Sequence, residues 1–141
     1  MIPKEFYIPH SIELLFDFFG KYNINTNEKY TKEIKRKVLN TISVLIQQKI
    51  IFVGNWIDKE NFKKWDLANT ETIKKIDNLW NENAEFSEFY NIAWFGYEKW
   101  YVDALESLGM TSQTDWGYFV KNKIGNLEKW IEDNKPKDEK N

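Results

Sequence analysis

His10 is the only histidine of this chain, and the chain has no cysteine, so few residues can supply nucleophilic or metal chemistry. A Ser-His-Asp arrangement would have to use His10 with the adjacent Ser11, and adjacent residues rarely form a triad. Common zinc and transition-metal sites draw on several His or Cys ligands. A site made only of carboxylates stays open for Mg²⁺ or Ca²⁺, although the chain has no EF-hand spacing. From these residues we predict a protein that is not an enzyme and that has no cofactor and no metal site.

Acidic side chains are the second group that could do chemistry, because the chain has 22 of them. Glu82, Glu85 and Glu88 stand three residues apart and could share one face, as the two carboxylates of a glycosidase face one sugar. Nothing in the surrounding sequence predicts that this trio is buried. The block from 50 to 107 carries eleven Asp and Glu against six Lys. We therefore interpret the trio as part of a solvated acidic edge that could meet a basic partner.

Basic side chains collect just before this acidic block, where residues 28–49 carry six Lys and Arg against two Glu. The outer face of the helix predicted there has residue types that contact phosphates and bases, namely Lys29, Lys32, Arg36, Asn40, Ser43 and Gln47. Our alternative hypothesis is thus a winged-helix-like nucleic-acid-binding protein that uses the basic face of helix 31–48. The net charge of −2, the single Arg and the long connection from Gly54 to Tyr90 make nucleic acid an unfavoured partner.

The elements that position these residues are organised around 31–56, a helix that runs almost directly into a strand. The apolar residues of helix 31–48 cover a broad arc, which predicts a central helix with several neighbours. Residues 50–53 are a β-branched and aromatic run ended by Gly54-Asn55, which predicts a strand and a turn. Residues 91–96 alternate between two faces and predict a second strand, which pairs antiparallel with 50–53. A continuous helix over 85–108 is the competing interpretation.

Four further segments have the helical spacing of apolar residues, at 11–20, 69–80, 101–108 and 114–131. Segment 56–65 predicts only a single helical turn. Together the elements predict a mainly helical α+β fold, with about five helices around the central helix 31–48 and a small two-stranded antiparallel sheet (50–53 with 91–96).

The length of 141 residues predicts a single globular domain over 1–134, followed by a charged flexible tail at 135–141. The N-terminus lacks the basic head, apolar run and cleavage site of a signal peptide, and no segment is apolar enough to span a membrane. We therefore expect a cytoplasmic protein without membrane contact. The sequence leaves its oligomeric state open.

One order of core residues is similar to that of a group of small bacterial proteins. A helix ends in an apolar strand, and a glycine-polar turn, an F-x-x-W pair, a helix closing on Trp and a strand ending in Trp-Phe follow. These features lie at Leu45 to Val53, Gly54-Asn55, Phe62 with Trp65, Ile73 to Trp80, and Ile92 to Phe95. Over residues 38–108 the chain resembles the immunity proteins of polymorphic and contact-dependent growth inhibition toxin systems.

The resemblance implies a non-enzymatic inhibitor that binds the C-terminal domain of a cognate toxin and neutralises it. If that toxin is a nuclease, its substrate groove is basic, and an acidic surface on the inhibitor would speed association. The implied binding surface combines acidic residues with exposed Trp or Tyr anchors. Its acidic residues are Asp58, Glu60, Asp77, Glu82, Glu85 and Glu88.

Overall fold

The computed structural model describes residues 2–24, 32–81 and 88–137, which form a mainly helical α+β fold with one small sheet. The α-helices are α1 (Leu15–Lys21), α2 (Lys32–Gln47), α3 (Asn69–Leu79), α4 (Phe89–Ile92), α5 (Lys99–Ser107), α6 (Trp116–Phe119) and α7 (Leu127–Asn134). The strands are β1 (Ile51–Trp56), β2 (Phe62–Lys64) and β3 (Trp94–Tyr97), in the antiparallel order β2-β1-β3. The predicted fold class is confirmed. The described residues contain seven α-helices and three strands, so the predicted numbers of five and two were too low.

Helix α2 lies in the core, as its broad apolar arc predicted. The side chains of Val38, Ile42 and Leu45 are fully buried. Leu39 is also buried, and Ile34 and Ile46 pack at the edge of the same cluster. Helix α2 contacts both α3 and β1. A helix with neighbours on two sides needs an arc of this width.

Helix α2 ends where Lys49 adopts the left-handed conformation, with φ of 59°. The Ile50 N–H donates to the Leu45 carbonyl at 3.0 Å, and the Lys49 N–H donates to the Ile46 carbonyl at 2.9 Å. This closure normally places glycine at the left-handed position, because a Cβ there crowds the following carbonyl.

Lys49→Gly is therefore expected to raise the free energy of unfolding by about 0.5–1 kcal/mol. The exposed hydrogen bond from Lys49 Nζ to the Pro136 carbonyl is lost in this variant and contributes little. Urea unfolding followed by circular dichroism measures the change. The control is Gln47→Gly two residues earlier, which is expected to destabilise, because Gln47 is helical. A Lys49→Gly variant no more stable than the parent would contradict the role of this residue.

The pairing of residues 50–53 with 91–96 is confirmed in its direction, with Val53 opposite Phe95 and Phe52 opposite Gly96. The strand begins only at Trp94, so the prediction of strand at 91 and 92 was wrong. Those residues belong to α4, whose Phe89 and Ile92 are three apart and both buried. The competing continuous helix is wrong as well, because extended residues interrupt it at 93–98.

Segment 56–65 forms a β-hairpin rather than the predicted helical turn. Its tight loop is held by Asp58, whose Oδ1 accepts the backbone N–H groups of Glu60 and Asn61 at 2.9 Å each. The loop brings Phe62 opposite Trp56. The i, i+3 spacing of Phe62 and Trp65 imitates a helical turn, and a strand of three residues is too short to show alternation.

The predicted final helix over 114–131 is broken. A π-helical turn (Val120–Ile124) follows α6, and Gly125 then turns the chain with φ of 87°. Asn126 restarts a helix by accepting the Lys129 N–H at 3.1 Å. The positive φ of Gly125 ends the helix, because glycine adopts this conformation without the strain that a Cβ would cause.

Buried aromatic donors hold the N-terminal segment onto the core. The Tyr97 hydroxyl donates to the Phe6 carbonyl at 2.7 Å, the Tyr101 hydroxyl donates to the Tyr7 carbonyl, and Trp116 Nε1 donates to the Lys4 carbonyl at 2.9 Å. These bonds satisfy carbonyls of a 3₁₀ turn (Lys4–Tyr7) that begins the ordered chain. Burial raises the pKa of both Tyr97 and Tyr101 above the ordinary value.

These raised pKa values predict that stability falls in alkaline solution. In the unfolded chain both tyrosines ionise near pH 10, whereas in the folded chain they keep their protons to higher pH. The contribution is complete below pH 10 and is lost as pH rises above it, by about 1.4 kcal/mol per pH unit for each tyrosine. Urea midpoints between pH 8 and 11.5 measure the loss. The Tyr101→Phe variant is expected to be less stable than the parent at pH 8. As pH rises above 10, its free energy of unfolding should fall less steeply than that of the parent. Equal slopes for both proteins would contradict this assignment.

Candidate protein-binding face

One face of the sheet points into the core and the other carries a layer of aromatic rings. Side chains alternate along a strand, so Ile51 and Val53 of β1 face the core together with Phe95 and Tyr97 of β3. The opposite face carries Phe52, Trp56, Phe62 and Trp94, and Tyr90 of α4 lies beside it. We call these five residues the aromatic face.

The rings of the aromatic face contact one another in an unbroken series. The ring centroids of Phe52 and Phe62 are 5.7 Å apart, those of Phe62 and Trp56 are 5.2 Å apart, and those of Trp56 and Trp94 are 6.4 Å apart. Trp94 is 6.1 Å from Tyr90. Most of these pairs are edge-to-face, an arrangement that the ring quadrupoles favour. Each ring therefore fixes the position of the next.

Two glycines allow these rings to lie close to the backbone of the sheet. A Cβ on Gly96 would come within 2.3 Å of the Phe52 ring. A Cβ on Gly54 would come within 2.7 Å of the Phe62 ring and 2.2 Å of the Lys63 carbonyl oxygen. The requirement at both positions is for space rather than for an unusual φ. The two strand glycines thus let the Phe52 and Phe62 rings pack directly on the backbone of the sheet, and this packing holds the aromatic face in its arrangement.

Much of this ring surface is open to solvent. Trp56 and Tyr90 are each 47% exposed, and Ile57, next to Trp56 in the hairpin loop, is 68% exposed. Single exposed apolar residues are normal, but a contiguous ordered patch indicates a binding site. Trp and Tyr are also the residue types that most often dominate binding energy at protein interfaces.

Three of the six acidic residues predicted to bind a partner lie next to the aromatic face in the chain. Asp58 and Glu60 are exposed in the loop between Trp56 and Phe62, and Glu88 is exposed at the start of α4. The Asn61 side chain and backbone N–H groups donate hydrogen bonds to Asp58 and lower its pKa, which keeps it charged.

Of the other three predicted acidic residues, the structure describes only Asp77, which is not part of the aromatic face. Asp77 lies on α3, where its Oδ1 is 2.8 Å from Lys35 Nζ of α2. Glu82 and Glu85 lie outside the described residues.

Sequence reasoning missed Glu13, which lines a groove together with four of the five residues of the aromatic face. The groove has a volume of about 370 Å³. The backbone of Glu13 is held against the sheet, because the Glu13 carbonyl accepts the N–H of Phe95 in the edge strand β3 at 2.8 Å. The groove is lined by His10, Ile12, Glu13, Phe52, Trp56, Phe62, Trp94, Phe95, Gly96 and Tyr97. The alternating Phe52-x-Gly54-x-Trp56 pattern was the available signal, but it has meaning only once the strand register is known.

A second groove, of about 540 Å³, lies between α2 and α3. Lys32, Arg36 and Asn40 line it, as the nucleic-acid hypothesis would require, together with Lys35 and Asp77. Lys35 Nζ is committed to α3, because besides the Asp77 carboxylate it donates to the Asp77 and Trp80 carbonyls at 2.9 and 2.7 Å. Lys35 therefore caps the C-terminal end of α3, where a cation is favoured.

Two other features, a cluster of metal ligands and a membrane-spanning helix, are absent from the described residues. Across 2–24, 32–81 and 88–137, no three Asp, Glu or His side chains group as metal ligands. No helix in those ranges has the length and apolar content needed to cross a membrane. Comparison with family models, curated proteins and solved structures finds no match to this chain.

Proposed function

We propose that this chain is a non-enzymatic protein-binding module and that the aromatic face is its binding surface. The observation that carries the proposal is the contiguous, partly solvent-exposed series of rings built on Gly54 and Gly96. Rigid aromatic anchors lose little conformational entropy on binding, so such a surface is suited to hold a partner tightly. The charged loop with Asp58 and Glu60 would form part of a polar rim around it.

We propose further that the partner is the C-terminal domain of a cognate bacterial toxin, which the chain neutralises as an immunity protein. Two observations support this step. The first is the order of core residues over 38–108, which resembles that of immunity proteins. The second is the position of Asp58, Glu60 and Glu88 beside the aromatic face, because carboxylates at a rim favour a partner with a basic surface.

Co-expression with the product of the neighbouring upstream gene tests this proposal. We expect a complex that survives size-exclusion chromatography and a loss of that product's toxicity to growing cells. Co-expression of the chain with an inactive variant of the same product measures binding independently of toxicity. Unchanged toxicity without a complex would refute the toxin partner.

Nucleic-acid binding stays the second candidate, and one observation favours it. Strand β1 follows α2 and is joined to β2 by the short loop 57–61, so the hairpin has the position of a wing. The long connection that counted against a winged helix on sequence grounds joins β2 to β3 instead. Fluorescence anisotropy with a labelled duplex discriminates the two candidates. If the chain binds the duplex through its phosphates, the affinity should fall steeply between 50 and 200 mM salt, and Arg36→Glu should abolish binding.

A further inference from the structure

We infer that the groove between the aromatic face and Glu13 receives an arginine side chain of the protein partner. This inference rests on the proposed function and deepens it, because it names the chemical group recognised by the binding surface. It follows from three features of the groove, which are its ring geometry, its carboxylate and a cation that the same face already binds.

The rings of the groove present their π faces in different directions. The Trp56 ring is inclined by 87° to that of Trp94 and by 75° to that of Phe62. In an edge-to-face contact the edge of one ring covers one π face of the other, so a cation reaches the π faces that stay open to the groove, where the negative quadrupole attracts it. A guanidinium is planar and weakly hydrated, so it stacks on such a ring at a lower desolvation cost than an ammonium.

Glu13, an exposed acidic residue, lines this groove. Its backbone is fixed on both sides, because its carbonyl accepts the Phe95 N–H at 2.8 Å and its N–H donates to Asp17 Oδ2 at 2.7 Å. A carboxylate on a fixed backbone can pair with two N–H groups of a guanidinium. The groove thus combines an opposite charge with aromatic walls, which is the chemistry that selects arginine.

The neighbouring part of the aromatic face already holds a cation in this way. Lys64 Nζ lies 4.0 Å from the centroid of the Phe52 ring and 3.9 Å from Glu98 Oε2. A ring and a carboxylate therefore bind an ammonium of the chain itself on this same face. In the groove, Trp94 and Glu13 are the aromatic and the acidic lining residue that an external cation would meet.

Titration of the whole chain with N-acetyl-arginine methylamide at pH 7.5 tests the inference. The probe is followed through the indole N–H signals of the ¹⁵N-labelled protein, and its uncharged citrulline analogue is the matched ligand. We expect saturable shifts of the Trp56 and Trp94 signals and binding of the citrulline analogue at least about threefold weaker. Equal binding of the two probes, or shifts confined to other indoles, would overturn the inference.

Glu13→Gln is the variant that tests the carboxylate, with Glu106→Gln on the exposed surface of α5 as its control. We expect arginine binding to weaken at least about threefold in the first and to stay unchanged in the second. Unchanged binding in Glu13→Gln would overturn the inference. If a toxin complex forms but the arginine probe does not bind, this inference fails and the proposed function stands. Arginine binding without a toxin complex removes the proposed partner and leaves the groove chemistry standing.

Discussion

Trp56→Ala combined with Trp94→Ala is expected to weaken the proposed complex with a toxin domain by at least about 2 kcal/mol, or roughly 30-fold in Kd. The two rings touch at the centre of the aromatic face, and truncation of such anchors exposes the partner's pocket to water. Isothermal titration calorimetry with an inactive toxin variant measures the change in Kd. Circular dichroism of each variant establishes that the fold is retained.

Tyr118→Ala is the matched control for that loss, because Tyr118 is 68% exposed on α6, outside the aromatic face. We expect its Kd to stay within about twofold of the parent value. Trp56→Ala alone separates binding from folding, because 47% of the Trp56 surface is exposed. Folded variants that bind as tightly as the parent would exclude the aromatic face from the interface.

Trp80→Ala is expected to lower the free energy of unfolding by about 3–5 kcal/mol. The side chain is 1% exposed, and its ring is 5.8 Å from Phe19 and 5.5 Å from Phe89, both edge-to-face. Its removal leaves a cavity at the point where α1, α3 and α4 meet. Since a domain is stable by only about 5–15 kcal/mol, the loss is a large part of the total. Urea denaturation followed by circular dichroism measures it.

Leu79→Ala and Trp80→Phe are the controls for this effect. Leu79 is 45% exposed, so its truncation is expected to cost less than about 1 kcal/mol. Trp80 Nε1 has no hydrogen-bond partner among the described residues, so phenylalanine loses ring volume but no hydrogen bond. Trp80→Phe is therefore expected to lie between the parent and Trp80→Ala. A cost for Leu79→Ala equal to that of Trp80→Ala would show that Trp80 has no special place in the core.

The elements that sequence patterns predicted well are those whose residues bury a long regular face. The arc of α2 repeats over four turns, so burial of Val38, Ile42 and Leu45 follows from periodicity alone. The pairing of β1 with β3 was predictable because Phe95 and Tyr97 alternate with Trp94. Helix α5 ends at Ser107, just before Gly109 with φ of 103°, where the sequence placed a stop.

The elements that sequence patterns missed are short or depend on one local interaction. Strand β2 has three residues, and its hairpin rests on hydrogen bonds to Asp58 that no periodicity reveals. The break between α6 and α7 depends on the φ of Gly125, because glycine at this spacing also fits a weak continuous helix. Helix α4 was missed because it has only four residues, which is too short to show helical periodicity.

The candidate site was predictable in its residue types but not in its position. Exposed Trp or Tyr anchors were expected, yet only the strand register shows that Trp56 and Trp94 share one face with Phe52. Charge along the chain was a poor guide, since the basic segment and the acidic block meet in the pair of Lys35 with Asp77. An acidic residue on a helix therefore does not imply an acidic surface.

Hydrogen–deuterium exchange of the chain, alone and in complex with an inactive toxin domain, tests the central claim most directly. We predict that complex formation slows amide exchange in the hairpin loop 57–61, in Phe62–Lys64 of β2 and around Glu13, where the aromatic face would meet the proposed partner. Exchange in α2 and α3 along their shared groove should stay unchanged. Protection confined to that groove, with the hairpin unaffected, would contradict the assignment of the aromatic face as the binding surface.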